Sequence, residues 1–121
     1  MEYKGGYKYQ LKDIERVKVQ ITLLKPIDIP FLAYRGGALF IRPGYAWDGP
    51  SGPTWDTETF MRGSLYHDAG YQLMREGFVD WKYRKTFDDI LWKTCRADGM
   101  NPVRAWYVWS AVRLFGKWWA S

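Results

Sequence analysis

The stretch Gly63-Ser64-Leu65-Tyr66-His67-Asp68-Ala69-Gly70-Tyr71 decides the fold of the second half of this chain. We place it in a helix that begins at about residue 57 and ends at about residue 75. On a helical wheel at about 100° per residue, one inward stripe runs along this helix, and it consists of Phe60, Gly63, His67, Tyr71 and Met74. The only histidine of the chain therefore faces inward, and Asp68 lies at the edge of the stripe.

A second helix is predicted from about residue 81 to residue 97, with Asp80 as its N-cap and Gly99 just past its end. The helical wheel places Asp88 toward the apolar side. It places Asp89 among basic residues on the other side of the helix, where Asp89 should be solvated. The short turn Glu76-Gly77-Phe78-Val79 joins the first two helices, so we expect them to be antiparallel neighbours. An inward Asp88 would then meet His67 across the helix interface.

A third helix is predicted after Asn101, the N-cap, with Pro102 in its first position. It is rich in aromatic residues, which we expect to serve mainly in packing. The final Trp118-Trp119 beside Lys117 leaves an interfacial role open.

The N-terminal third has the pattern of an antiparallel sheet. Apolar and polar residues alternate from Val17 to Leu23, which predicts a half-buried strand that Pro26 and Pro30 interrupt. The segments 31–34 and 38–41 predict a hairpin that turns at Gly36-Gly37. Residues 7–11 predict a further short strand.

Between sheet and helices lies the segment 43–53, with three prolines and three glycines. Such a segment is not the interior of a helix or strand, and Tyr45 and Trp47 favour a shaped loop over a flexible linker. The fold class is therefore α+β: a small antiparallel N-terminal sheet (about 7–42), a glycine- and proline-rich loop (43–56) and a three-helix unit (57–119). We expect a single domain, residues 1–121.

Composition excludes several classes of protein. Eighteen basic against 13 acidic residues give a net charge of +5, which is compatible with anionic partners or with ordinary solubility, and there is no nucleic-acid signature. The single cysteine, Cys95, cannot form an internal disulfide. We find neither a signal peptide nor a transmembrane segment. Eight tryptophans and nine tyrosines predict either a well-filled core or an aromatic surface for partner proteins.

His67 is the candidate base, because histidine exchanges protons near neutral pH. Asp88, on one imidazole nitrogen, would orient the ring and leave the other nitrogen free to take a proton. Asp68 could join Asp48 and carbonyls of the glycine-rich loop around calcium or magnesium, which prefer oxygen ligands. The alternatives are structural: a hydrogen-bonded core histidine, an Asp88 paired with Arg84 one turn earlier, and an Asp48 that closes its own turn.

Four motifs together resemble a domain family of unknown function that is common in tailed phages and prophages. They are Trp47-Asp48-Gly49-Pro50-Ser51-Gly52-Pro53, His67-Asp68-x-x-Tyr71, Arg84-x-x-x-Asp88 and Ala111-Val112-Arg113-x-Phe115-Gly116. The resemblance covers roughly residues 35–116 and implies a phage origin, with the host cytoplasm or the assembled particle as location.

The His67-Asp68-x-x-Tyr71 helix is also similar to the active-site helix of the secreted calcium-dependent phospholipases. That resemblance implies His67 as the base that activates water, Asp68 as a calcium ligand and Asp88 as the orienting carboxylate. Loop carbonyls near Gly44, Gly49 and Gly52 would complete the calcium site, and Tyr71 and Arg84 would support the site or bind substrate. Those enzymes carry cysteines that flank the motif, and this chain has only Cys95.

Two function classes follow. The first is a small, phage-encoded, metal-assisted hydrolase of an ester or phosphodiester, with calcium as the cation. The second is a non-enzymatic virion component or host-interaction protein that binds phage or host proteins through its aromatic surface, and in it the His67–Asp88 pair is structural. The sequence leaves the substrate and the oligomeric state open.

Overall fold

The computed structural model describes residues 1–4, 9–47 and 58–120, the last four of them as backbone only. The strands lie in the N-terminal half and three helices follow, so the α+β fold class is confirmed. The chain divides into two compact units, residues 1–49 and 50–121. The boundary lies within the predicted loop.

The first unit contains two small antiparallel sheets. One has three strands in the order β1-β2-β7, and the other has four strands in the order β3-β6-β5-β4. The strands are β1 Tyr3–Lys4, β2 Tyr9–Leu11, β3 Glu15–Lys18, β4 Ile27–Ile29, β5 Leu32–Arg35, β6 Ala38–Ile41 and β7 Ala46–Trp47.

The predicted hairpin at the glycine pair is confirmed. Arg35 pairs with Ala38, so Gly36 and Gly37 form a two-residue loop. Both have positive φ, 60° and 78°, which is the backbone that such a hairpin turn requires and that glycine adopts without cost.

The predicted strand from Val17 to Leu23 is wrong in its second half. Strand β3 ends at Lys18, because Lys18 pairs with Ala38, where the partner strand β6 begins. The alternation of burial continues past that point, and the Tyr34 hydroxyl donates to the carbonyls of Val19 and Ile21 at 2.7 and 3.2 Å. Beyond one last backbone bond, from the Val19 amide to the Gly37 carbonyl at 3.0 Å, a side chain and not a strand is the partner of this segment.

Three short strands, β1, β4 and β7, have no counterpart in the predictions. Strand β4 lies between Pro26 and Pro30, and β7 lies within the predicted loop, where it pairs with β2. Of the predicted strand 7–11, Tyr9–Leu11 is confirmed and residues 7–8 lie outside the described residues. Trp47 is 2 % exposed and contacts the rings of Tyr3 and Tyr9, so this end of the loop is shaped, as expected.

The second unit consists of α1 Glu58–Arg75, α2 Arg84–Ala97 and α3 Pro102–Ala120. The predicted second helix starts as a 3₁₀ turn, Trp81–Tyr83, which Asp80 caps through a 2.7 Å bond from the Lys82 amide, and continues as α2. Asn101 caps α3 through a 2.8 Å bond from the Val103 amide, as predicted. None of the described helices is both long and apolar enough to cross a bilayer.

Candidate functional site

Helices α1 and α2 pack closely because two glycines on α1 carry no side chain. A Cβ at Gly70 would lie 2.2 Å from the Phe87 ring, and one at Gly63 would lie 2.8 Å from Cys95 Sγ. Residue numbers fall along α2 as they rise along α1, so the helices are antiparallel, as predicted. His67 lies midway between the two glycines, where this close approach brings the facing helix within reach.

His67 Nε2 lies 2.7 Å from Asp88 Oδ1, which confirms the expected direct hydrogen bond. Asp88 is fully buried and His67 is 8 % exposed, whereas the Asp89 side chain is 35 % exposed. The helical wheel therefore separated the two neighbouring aspartates correctly.

The Asp88 carboxylate accepts hydrogen bonds from two further side chains and faces a third. The Tyr71 hydroxyl donates to Oδ1 at 2.7 Å and Arg113 Nη1 donates to Oδ2 at 2.8 Å, while Arg84 Nε lies 3.9 Å from Oδ2. Burial by itself raises the pKa of Asp88, but the hydrogen bonds from His67 and Tyr71 and the bond from Arg113 outweigh it and hold this pKa below its ordinary value. Asp88 is thus an ionised carboxylate at neutral pH.

An ionised carboxylate can only accept hydrogen bonds, so Nε2 of His67 carries the proton in their shared bond. In the neutral ring the lone pair then lies on Nδ1. Among residues 1–4, 9–47 and 58–120, no group makes a hydrogen bond to Nδ1. This is the arrangement in which an imidazole can take a proton from a water molecule.

Tyr71 lies beside His67 and shares its partner. The two rings are 4.1 Å apart between centroids, and the Trp81 ring meets Tyr71 edge-on at 5.9 Å. Burial, and then the negative Asp88, raise the pKa of Tyr71 well above its ordinary value. Tyr71 is therefore a neutral hydrogen-bond donor and not a base at any pH near neutrality.

Arg84 joins the site to α3. Its Nε donates to the Tyr71 hydroxyl at 3.0 Å, and its Nη2 donates to the carbonyls of Val112 and Arg113 at 2.7 and 2.5 Å. Two of its three guanidinium nitrogens are thus engaged within the chain, and this geometry fits a supporting role rather than substrate binding.

Sequence reasoning did not identify Arg113 as a residue of the site. Arg113 is part of the terminal motif that resembles the phage family, and the sequence analysis assigned it no function. Gly116 was equally unassigned, and a Cβ there would lie 2.9 Å from the Tyr71 hydroxyl. Arg113 and Gly116 are three positions apart on α3, and this spacing was the only sequence signal that they share a helix face. How α3 packs on α1 and α2 could not be derived from local periodicity.

The proposed calcium ligands are only partly described. Asp68 is half-buried on α1. Gly44 belongs to the first unit, where its amide donates to the Leu11 carbonyl and its carbonyl accepts from Gln10 Nε2 at 3.4 Å. Asp48, Gly49 and Gly52 lie outside the described residues. Within the described part of the chain, no three His, Cys, Asp or Glu side chains are placed to share a metal ion.

Cys95 offers no alternative nucleophile. It is fully buried, and burial followed by the charge of Asp98 raises the pKa of the thiol to about 12. The reactive thiolate is therefore scarce at neutral pH.

Comparison with known proteins adds no relative: no protein-family model, no curated protein and no solved structure matches this chain. The two resemblances named above are thus expectations that these comparisons leave open.

Proposed function

We propose that this chain is a small hydrolase in which His67 is the general base. The observation that supports it most is the 2.7 Å bond from His67 Nε2 to a buried, ionised Asp88, which leaves Nδ1 available. In the proposed reaction, Nδ1 takes a proton from water while the water oxygen attacks the substrate. Asp88 stabilises the imidazolium that forms and holds the ring in place. His67 then returns the proton to the leaving group.

The substrate that we propose is an ester or phosphodiester, and the origin that we propose is a phage genome. Both rest on the resemblances of the His67-Asp68-x-x-Tyr71 helix and its companion motifs. Calcium belongs to the proposal as the cation that Asp68 and Asp48 would hold, where it would polarise a carbonyl or phosphoryl oxygen. Asp68 alone among the described residues does not make a cation site, so no step above depends on the metal.

The test is a hydrolysis screen with matched variants. Wild-type protein is assayed on an aromatic carboxylic ester, an aromatic phosphodiester and phospholipid vesicles, with calcium and with chelator. His67→Gln keeps an amide donor near the place of Nε2 but has no proton acceptor, so turnover should fall about 10²–10⁴-fold. Asp89→Asn, one residue from Asp88 but on the solvent side of α2, should leave the rate unchanged.

The same screen also tests the proposed calcium site. A rate that chelator lowers in wild-type protein and does not lower in Asp68→Asn supports the cation site. Turnover that survives in His67→Gln contradicts the proposal, since another group would then be the base.

A non-enzymatic phage virion component or host-interaction protein is the second candidate. The observation that favours it is the enclosure of Asp88, whose four partners all come from the chain itself. Here the His67–Asp88 pair would only hold α1, α2 and α3 together. Absence of turnover on every substrate, with stoichiometric amounts of the protein in purified phage particles, supports this candidate.

A further inference from the structure

Helix α3 presents an apolar face that residues 1–4, 9–47 and 58–116 leave exposed. Val103, Trp106, Tyr107 and Leu114 are 74, 61, 69 and 73 % exposed. At about 100° per residue these four side chains fall within an arc of roughly 100°, so they lie on one face of the helix. We call it the α3 stripe. An exposed apolar stripe of this kind marks a surface that binds something.

A groove lies beside the α3 stripe, between α2 and α3. It has a volume of about 380 Å³, and it is lined by Asp89, Trp92, Lys93, Trp106 and Trp109. Asp89 accepts from Trp109 Nε1 and Lys85 Nζ, each at 2.8 Å. Among these lining residues, the charge of the acid, Asp89, is thus balanced by Lys85, and the groove combines indole rings with the cation of Lys93.

The charge of this surface selects an anionic partner. Helix α3 contains three basic residues, Arg104, Arg113 and Lys117, and no acidic residue, although Arg113 is paired with Asp88. The exposed side of α2 and the turn before it adds Lys82, Lys93 and Arg96, besides Lys85, whose charge Asp89 balances. Two copies of this surface would repel each other, so the same charge argues against a second copy of the chain as the occupant.

The aliphatic members of the α3 stripe distinguish among anionic partners. Val103 and Leu114 neither stack on bases nor bind phosphates, so they would gain nothing on a nucleic acid. At a bilayer surface, aliphatic side chains are buried at the acyl boundary while tryptophan and tyrosine rings lie at the headgroup level and cations meet anionic lipids. The aliphatic side chains, the aromatic rings and the cations of this surface would then all contact the bilayer.

We propose that the α3 stripe is an interfacial anchor that docks on the surface of an anionic lipid bilayer. The helix lies in the headgroup plane and does not cross it. The proposal is independent of the hydrolase proposal, because none of the stripe residues belongs to the His67 site.

The experiment is co-sedimentation of the full chain with vesicles of phosphatidylcholine alone or of phosphatidylcholine and phosphatidylglycerol in equal parts. We expect binding to the anionic vesicles that weakens as salt is added. Trp106→Ser combined with Leu114→Ser should lower the partition coefficient at least about tenfold, because both side chains lose apolar burial. The control is Leu24→Ser, which removes a fully exposed apolar side chain from the first unit and should change nothing.

A second pair of variants tests the charge. Lys93→Gln should weaken binding to the anionic vesicles about fivefold, whereas Lys18→Gln, an exposed lysine of strand β3, should not. All substituted side chains are exposed, and a urea midpoint equal to that of the wild type verifies that each variant is folded.

Three outcomes would overturn the proposal. One is the absence of sedimentation with anionic vesicles, and another is equal binding by wild-type protein and the Trp106/Leu114 variant. The third is binding of a second copy, or of a single-stranded oligonucleotide, that this variant loses while vesicle binding persists.

Discussion

Asp88 is the residue on which the second unit depends most. Its carboxylate joins three helices, since His67 and Tyr71 come from α1, Arg84 from α2 and Arg113 from α3. A buried charge of this kind is tolerated only because each oxygen is hydrogen-bonded. Removing it leaves buried donors and positive charges without their acceptor.

Replacing Asp88 should therefore cost far more stability than replacing its neighbour. We expect Asp88→Ala to lower the free energy of unfolding by about 3 kcal/mol, whereas Asp89→Ala, which loses a half-exposed pair, should cost about 1 kcal/mol or less. Urea denaturation at neutral pH measures both. Equal losses in the two variants would contradict the central place given to Asp88.

The pH dependence of that difference has a definite sign. The folded-state pKa of Asp88 lies below its unfolded value of about 4. Its contribution is therefore present in full above about pH 4 and is lost as the pH falls through the lower, folded value. The gap between wild-type protein and Asp88→Ala should shrink as the pH falls below about 4. A gap that grows below about pH 4 would contradict the assignment.

At the scale of the helices, the close approach of α1 to α2 is set by glycine. Gly70→Ala should be destabilising by about 1–3 kcal/mol, because the added Cβ overlaps the Phe87 ring, although alanine is the better helix former by about 1 kcal/mol. Adding Phe87→Leu should recover part of the loss by making room, which a urea-melt double-mutant cycle measures. A stabilised Gly70→Ala protein would show that the helices can separate without cost.

Sequence reasoning succeeded for α1 and α2 because their relation is local. A short turn makes them antiparallel neighbours, and the helical wheel of each helix then predicts which of its residues face the other helix. It failed for Arg113, because the position of α3 depends on packing between distant segments. It also failed at strand β3, where burial alternates to Leu23 but the strand ends at Lys18. Periodicity reports which face is buried, and it does not report where the partner strand ends.

For the whole molecule, His67, Asp88 and the side chains bonded to Asp88 lie entirely in the second unit, within residues 67–113. The first unit has its own two sheets and its own buried aromatic residues. The sequence predicted the order of these parts from composition alone, since the glycine- and proline-rich segment separates them. It could not provide the calcium site, because loop carbonyls take their positions from backbone conformation and not from residue type.

The most direct test of the account is nitrogen-15 NMR of the single imidazole in histidine-labelled protein, at a pH where the ring is neutral. Because the chain has one histidine, the spectrum holds one ring. The account predicts a proton on Nε2 that exchanges slowly with water and an unprotonated Nδ1, a pattern that Asp89→Asn keeps and Asp88→Asn loses. A proton on Nδ1, or an Nε2 proton that exchanges as freely as in free histidine, would contradict it.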